Sequence, residues 1–230
     1  ALGTLIITGA IAASGGADIS PGGTIIYTPA AGFAGVDTFT VQVSDGTATA
    51  IRVISVNVVP GTPQAPDLAA GSDSGRALDY ITNADMLSFS GLSATADSSS
   101  LVRVFLDTNG NGVFDAGTDA TATATVANGA WTVTGLSTTG VSDGDYNVYA
   151  QVTSATGNLT SAVSSALVVQ IDKTPPGQTL SGLSLSADTG GSDSDFITNT
   201  AAQTVRATLS GPLAGDDALY GSLDGGSTWT

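Results

Sequence analysis

The run Asp79-Tyr80-Ile81-Thr82-Asn83 returns as Asp195-Phe196-Ile197-Thr198-Asn199; from position 79 to position 195 the offset is 116 residues. Around it, Asp188-Thr189-Gly190 echoes Asp73-Ser74-Gly75, and Leu223-Asp224-Gly225 echoes Leu106-Asp107. Asp172-Lys173-Thr174-Pro175-Pro176 separates the two copies, and Pro60, Pro63 and Pro66 form a stiff linker before the first of them. Self-similarity at a fixed period is the mark of a tandem array. The expected units are residues 1–60, 61–174 and 175–230, with the first and the last incomplete. Ala1 is expected to fall inside a domain, which makes the chain a piece of something longer.

Each unit reads as strands. Asp37-Thr38-Phe39-Thr40-Val41-Gln42-Val43-Ser44 alternates apolar and polar residues at period two, as a half-buried strand does. Asp45-Gly46 is a hairpin turn, and a long return strand runs over 47–59. Gly3-Thr4-Leu5-Ile6-Ile7-Thr8 and Thr24-Ile25-Ile26-Tyr27-Thr28 are shorter strands. In the complete unit, strands are expected at 86–94, 101–106, 120–126, 130–136, 145–152 and 162–171, with a tight hairpin turn at Asn128-Gly129. Trp131 reads as a core residue, and Tyr146 and Tyr149 as core or half-exposed. All twenty acidic residues are Asp, which favours turns over helices, and Lys173 is the lone lysine. The expected fold is all-β: immunoglobulin-like sandwiches in tandem.

The charge narrows function. Four Arg and one Lys oppose twenty Asp, a formal net charge of −15. That excludes a nucleic-acid partner, which needs a basic patch, and disfavours anionic membranes. No apolar run approaches a membrane span, no membrane insertion is expected, and no leader pattern opens the chain. With no His and no Cys, Ser-His and Cys-His nucleophile systems and disulfides are ruled out. Asp216-Asp217 reads as a loop pair, no phosphate loop occurs, and no catalytic or organic-cofactor site is expected.

Clustered carboxylates favour cations. Asp107-Thr108-Asn109-Gly110-Asn111-Gly112-Val113-Phe114-Asp115 spaces oxygen side chains at Asp107, Asn109 and Asn111 before a Gly that permits a sharp reversal. The run matches the first half of an EF-hand loop. Val113 would offer its carbonyl, and Asp115 would act directly or through water. The twelfth position is Thr118 rather than Glu, and Asp119 follows one place later. Strand-like sequence flanks the loop, so calcium here would sit between strands. The competing reading is an Asx-rich turn with no metal.

Two resemblances add to this. Tyr27-Thr28-Pro29-Ala30-Ala31-Gly32-Phe33-Ala34-Gly35-Val36-Asp37-Thr38-Phe39, continuing to Val43-Ser44-Asp45-Gly46, resembles the closing part of cadherin-like tandem repeats of large bacterial surface proteins. In those repeats Asp near loop ends often serves calcium; Asp37 and Asp45 are the matching positions, with turn capping as the alternative role. Ser142-Asp143-Gly144-Asp145-Tyr146, Thr156-Gly157-Asn158-Leu159-Thr160-Ser161 and Val168-Val169-Gln170-Ile171-Asp172-Lys173-Thr174-Pro175-Pro176 resemble bacterial Ig-like repeats of giant adhesins, of the RTX and biofilm-associated type. Ser154 stands where those repeats commonly have Asp. The resemblance implies export to a bacterial surface and calcium held at domain joints, Asp172 being the joint position that matches.

In a seven-strand sandwich alternate loops share a pole. This places Asp73 and Asp79, the 107–119 loop, and Asp143 with Asp145 at the pole where the last strand ends on Asp172. These carboxylates, repelling by roughly a kcal/mol per pair, form a second candidate calcium set at the joint between the second and third units. The leading functional expectation is a calcium-stiffened spacer in a long secreted surface adhesin, with neighbouring repeats as its partners. A self-assembling subunit of an extracellular filament or S-layer-like coat is the alternative, with other copies of the chain as partners through apolar strands such as 51–59. A carbohydrate-binding accessory module ranks third, since aromatics are only 6% of the residues.

Overall fold

Among the described residues of the computed structural model, alternating and Gly-punctuated sequence becomes fifteen strands, and there is no helix. The structure describes every residue except 1–3, 9–15, 21–23, 45–46, 96–98, 214–216 and 229–230. The Asp45-Gly46 turn and Asp216 therefore lie outside the described residues. The chain divides into two compact units, Ala1–Lys173 and Thr174–Thr230.

The first unit begins with β1 (Thr4–Thr8), β2 (Gly16–Ser20), β3 (Thr24–Thr28), β4 (Gly35–Ser44) and β5 (Thr49–Val58). β1, β4 and β5 form one antiparallel sheet, and β2 pairs with β3. β2 carries too little alternation to stand out in the sequence. Period two in β4 turns Asp37, Phe39 and Val41 inward, at 0%, 4% and 8% exposure. Tyr27 stacks on Phe39 with ring centroids 5.8 Å apart, and its hydroxyl donates to Asp37 Oδ2 at 2.7 Å. Burial, then the Asp37 carboxylate as acceptor and as charge, pushes the Tyr27 phenol from 10.0 up to about 12. The neutral phenol is thus the form favoured by folding. Its contribution is whole below pH 10 and is lost as pH rises through the folded value. In an ultraviolet pH titration Tyr27 is expected to ionise near pH 12, and Asp37→Asn is expected to lower its midpoint; an unchanged midpoint would remove Asp37 as a contributing cause.

The second part of this unit is a sandwich of eight strands: β6 (Asp67–Leu68), β7 (Ile81–Thr82), β8 (Met86–Leu92), β9 (Leu101–Asp107), β10 (Ala120–Thr125), β11 (Ala130–Ser137), β12 (Gly144–Thr153) and β13 (Leu167–Ile171). One sheet runs β10-β9-β12-β13-β7 and the other β11-β8-β6. Between them lie Leu87, Phe89, Val102, Val104, Leu106, Trp131, Val133, Leu136, Val148, Ala150, Val152, Val169 and Ile171, each 0–3% exposed. Burial of such side chains contributes about 1.5–3 kcal/mol each and holds the sheets together. Val133 and Leu136 both point inward although three places apart, because a bulge with Gly135 at φ 78° shifts the register between them.

Asn128 and Gly129 take φ 52° and 78°, and Ala127 and Ala130 exchange both backbone hydrogen bonds. This two-residue turn carries the chain from the five-stranded sheet to the three-stranded one. The expected strand over 162–171 is shorter: regular pairing starts at Leu167. Upstream, Ser161 and Ser164 replace backbone carbonyls, their hydroxyls accepting from Val152 N at 3.0 Å and Ala150 N at 2.9 Å. Side-chain acceptors satisfy the β12 edge there without continuing the ladder.

In Thr174–Thr230, β14 (Leu180–Leu185) pairs antiparallel with β15 (Val205–Leu209). The repeat seen in sequence is also a repeat of hydrogen bonds. Ser74 N donates to Ile81 O at 3.0 Å, as Thr189 N does to Ile197 O at 3.2 Å. Ser74 Oγ and Thr189 Oγ1 each donate to an Asn Oδ1 at 2.8 Å, that of Asn83 or Asn199. Tyr80 and Phe196 both sit at left-handed φ, 59° and 62°, a conformation bulky residues rarely adopt.

Candidate metal centre

β9, an inner strand of the five-stranded sheet, places the loop. Its even residues enter the core, and it ends on Asp107 at 3% exposure; the loop returns through Asp119, 7% exposed, into β10. Both feet of the loop are thus buried carboxylates, and each is saturated by loop donors. Asp107 Oδ1 accepts from Gly110 N at 2.8 Å and Asn111 N at 3.2 Å, and Oδ2 from Gly112 N at 2.7 Å. Gly110 and Gly112 sit at φ 74° and 73°, which wraps these three N–H groups around one side chain. Asp119 Oδ1 accepts from Thr108 N at 3.0 Å and Thr108 Oγ1 at 3.2 Å, and Oδ2 from Asp115 N at 2.8 Å.

Asn109 Oδ1 and Asn111 Oδ1 accept from Asn111 N and Val113 N, at 3.2 and 2.8 Å. Their amide nitrogens donate to Asp115 Oδ2 at 2.8 and 2.6 Å. Those bonds from Asn109 and then Asn111 hold the half-buried Asp115 carboxyl below the usual carboxylate range. Val113 is exposed. Asp107, Asn109, Asn111, Asp115 and Asp119 are therefore brought into one hydrogen-bonded cage. The donor set is entirely oxygen, which suits a hard cation. Among the described residues no three acidic side chains converge closely enough to hold a metal ion, so cation entry would require Asp115 to exchange its amide partners for the ion.

Sequence reasoning missed what roots this loop. Phe105 points away from the core on β9 yet is 0% exposed. Phe114 meets it edge-on at 5.6 Å, Tyr149 covers it at 5.5 Å, and the Arg103 guanidinium lies 4.2 Å above the Phe114 ring. Phe105, out of phase with the inward even positions of β9, and Phe114 within the Asp run were the available signal. In Thr174–Thr230 the counterpart of the loop is a short turn around Asp224, whose carboxylate accepts from Ser227 N and Thr228 N at 2.9 Å. Bonds from Thr228, then Ser222, hold Asp224 far below the usual range.

Strand registers put the second candidate set at one end of the five-stranded sheet. β9 ends there on Asp107 opposite Asn147, β12 begins there with Gly144 opposite Ile171, and β13 runs parallel to β7 with Ile171 opposite Thr82. Asp79 Oδ1 accepts from Ile81 N at 3.1 Å, and Asp143 Oδ1 from Lys173 N at 2.9 Å. Asp145 pairs with Gln170 across the ladder, and Asp172 N donates to Thr82 O. Asp73 Oδ2 accepts from Leu78 N, while its Oδ1 is buried with no partner among the described residues; Asp188 Oδ1, its repeat counterpart, is likewise unpartnered. A cation already stands at this end: Lys173 Nζ donates to Asp85 Oδ1 at 2.7 Å and Thr138 O at 2.8 Å. The pairing of Lys173 with Asp85 was not legible in the sequence, because 88 residues separate them. Asp37 serves Tyr27 and Thr38 N.

The bacterial Ig-like domain family matches residues 58–173, and the bacterial Ig domain family matches residues 2–57, the segment in which residues 27–46 led to the expectation of a cadherin-like repeat. No curated protein matches the chain. Among solved structures, the chicken interferon gamma receptor alpha chain is 11% identical, with a TM-score of 0.30 over 59% of this chain and 65% of that one. The chicken CNTN1 FN1–FN3 domains are 14% identical, with a TM-score of 0.32 over 69% of this chain and 50% of that one. The chain thus spans less than two thirds of either, and at these scores neither likeness bears on function. A two-sheet sandwich with a buried Trp131 over half of the chain, covered by one family pattern, carries the assignment: this chain belongs to the bacterial Ig-like domain family.

Proposed function

We propose that the chain is a structural spacer segment of a long secreted bacterial surface adhesin, in which calcium in the 107–119 loop stiffens the repeat. Bacterial Ig-like domains are typical of extracellular and surface proteins and are typically structural modules. The observation that carries the spacer reading is the repeated cassette of residues 73–83 and 188–199, which has the same hydrogen bonds in two successive copies. Repetition of one self-similar unit builds length.

The calcium part rests on the loop's donors: three carboxylates, two side-chain amide oxygens and backbone carbonyls between two strands. Asp115 is held ionised below the usual carboxylate range, so its charge is available above that range and is lost only as pH falls through the lowered value. Asp73, Asp79, Asp143, Asp145 and Asp172 form the second candidate set, supported by the buried Asp73 Oδ1, which has no partner among the described residues. Calorimetric titration with calcium is expected to show saturable binding, with Kd of about 10⁻⁴–10⁻³ M as in extracellular modules. Asp115→Ala is expected to abolish the loop component, and equal heats in wild type and variant would end the calcium reading of this loop.

Lateral self-assembly is a second reading, favoured by one feature. β5 is an edge strand with Ile51 65% and Val53 63% exposed, a row that offers both apolar surface and unpaired backbone to another copy. Concentration-dependent growth in light scattering, abolished by Ile51→Lys, would support it.

A further inference from the structure

Residues 120 places apart meet where the segment of residues 2–57 approaches the sandwich. Gly35 opens β4 and is buried, with Ala34 beside it at 1% exposure. Val36 N donates to Thr156 Oγ1 at 3.0 Å. A Cβ on Gly35 would lie 2.2 Å from that same Oγ1, so only a glycine admits the threonine here. The contact is reciprocal. Gly157, at φ +78°, would place a Cβ 2.6 Å from Val36 Cγ2. Each side presents a glycine to a side chain of the other.

The partner turn is pre-formed. Between β12 and β13, Ser154 is 3% exposed; its hydroxyl donates to Thr156 O at 2.8 Å and accepts from Leu159 N at 3.0 Å, and Ser154 N donates to Leu159 O at 2.8 Å. These three bonds hold Thr156 and Gly157 out as a fixed knob. A second attachment lies in the linker. Pro60, Pro63 and Pro66 are buried, Gln64 N donates to Leu92 O at 3.0 Å, and a Cβ on Gly61 would touch Ala94 Cβ at 3.0 Å. The linker is laid along β8 instead of swinging free.

We propose that the turn of residues 154–159 is a docking surface for the preceding repeat of the same chain, and that this contact and the packed linker together fix the joint without a metal ion. A tether at one point leaves a domain free to rotate, whereas two separated attachments do not. The proposal rests on the reading of the chain as a run of structural repeats and is independent of calcium in the 107–119 loop. It needs the glycines for close approach and the threonine for its hydroxyl, which satisfies the Val36 N–H at the start of β4.

The chain has no cysteine, so Thr49→Cys with Thr125→Cys, both exposed sites, gives one spin-label pair spanning the joint. Pulsed electron-electron resonance in excess chelator is expected to give one narrow distance distribution. Thr156→Ala, which removes the hydroxyl, and Gly157→Asn, which tolerates left-handed φ but fills the space against Val36, are each expected to widen it about twofold. Unchanged melting of both variants will show that the repeats themselves remain folded. A broad distribution in the parent protein, one that narrows only when calcium is added, or one that neither variant widens would overturn the proposal. Failure of calcium to bind the 107–119 loop would show separately in the calorimetric titration and would leave this result standing.

Discussion

Gly91→Ala is expected to destabilise the sandwich of residues 58–173 by about 1–3 kcal/mol, although it adds a single methyl group. Gly91 stands opposite Trp131 in the pairing of β8 with β11, and the indole lies directly across it. A Cβ there would come 2.2 Å from Cζ2, 2.7 Å from Cε2 and 2.9 Å from Cη2 of the ring. The ring has little room to retreat, because Trp131 is 3% exposed and sits in the core with Phe89 and Val133. Either the ring leaves its rotamer or the strands separate, and both lose packing. The cost should fall when the obstacle is removed. In the Trp131→Leu background, adding Gly91→Ala is expected to cost less than it does alone, a coupling of about 0.5–3 kcal/mol. Denaturant unfolding followed by circular dichroism measures all four corners of this cycle. A Gly91→Ala midpoint equal to the parent's would mean that the indole does not lie over residue 91.

Asp107→Ala is expected to cost about 2–4 kcal/mol in excess chelator, before calcium enters the question. The carboxylate is buried and accepts from the N–H groups of Gly110, Asn111 and Gly112 at the foot of the loop. Alanine leaves all three without their acceptor at the point where β9 hands the chain to the loop. Asp107→Asn keeps one acceptor oxygen and is expected to cost less. Thermal unfolding with chelator and with calcium separates the two roles of the side chain. The structural loss persists in chelator, whereas any calcium-dependent rise in Tm seen in the parent should vanish in both variants. A parent protein whose Tm ignores calcium would leave the loop as a hydrogen-bonded cage. Parent-like stability of Asp107→Ala in chelator would contradict the cage itself.

Much of this architecture is written in local pattern. Period-two alternation in 37–44 marks β4, Asn128-Gly129 marks the turn between sheets, and the offset of 116 marks the repeated cassette, whose hydrogen bonds then prove alike in both copies. Such features depend on residues a few places apart, so the order of residues is enough to determine them. The same holds for the Asp107 cage, since its donors lie three to five residues downstream. β13 shows where local pattern fails: 162–166 has strand-like composition, but Ser161 and Ser164 hydroxyls take the ladder's place.

The remaining decisions are tertiary. That Phe105 is buried on the outer face of its sheet depends on Phe114 and Tyr149 folding over it. That Gly91 must be glycine depends on Trp131, that Lys173 reaches across one end of the sheet depends on Asp85 and Thr138, and that Gly35 admits Thr156 depends on two repeats meeting. In each case the partners are far apart along the chain and come within contact only after the sandwich has closed. Residue order settles strand, turn and repeat because backbone preference acts locally. Which side chain meets which across the closed sheets is set by packing, and packing exists only in three dimensions.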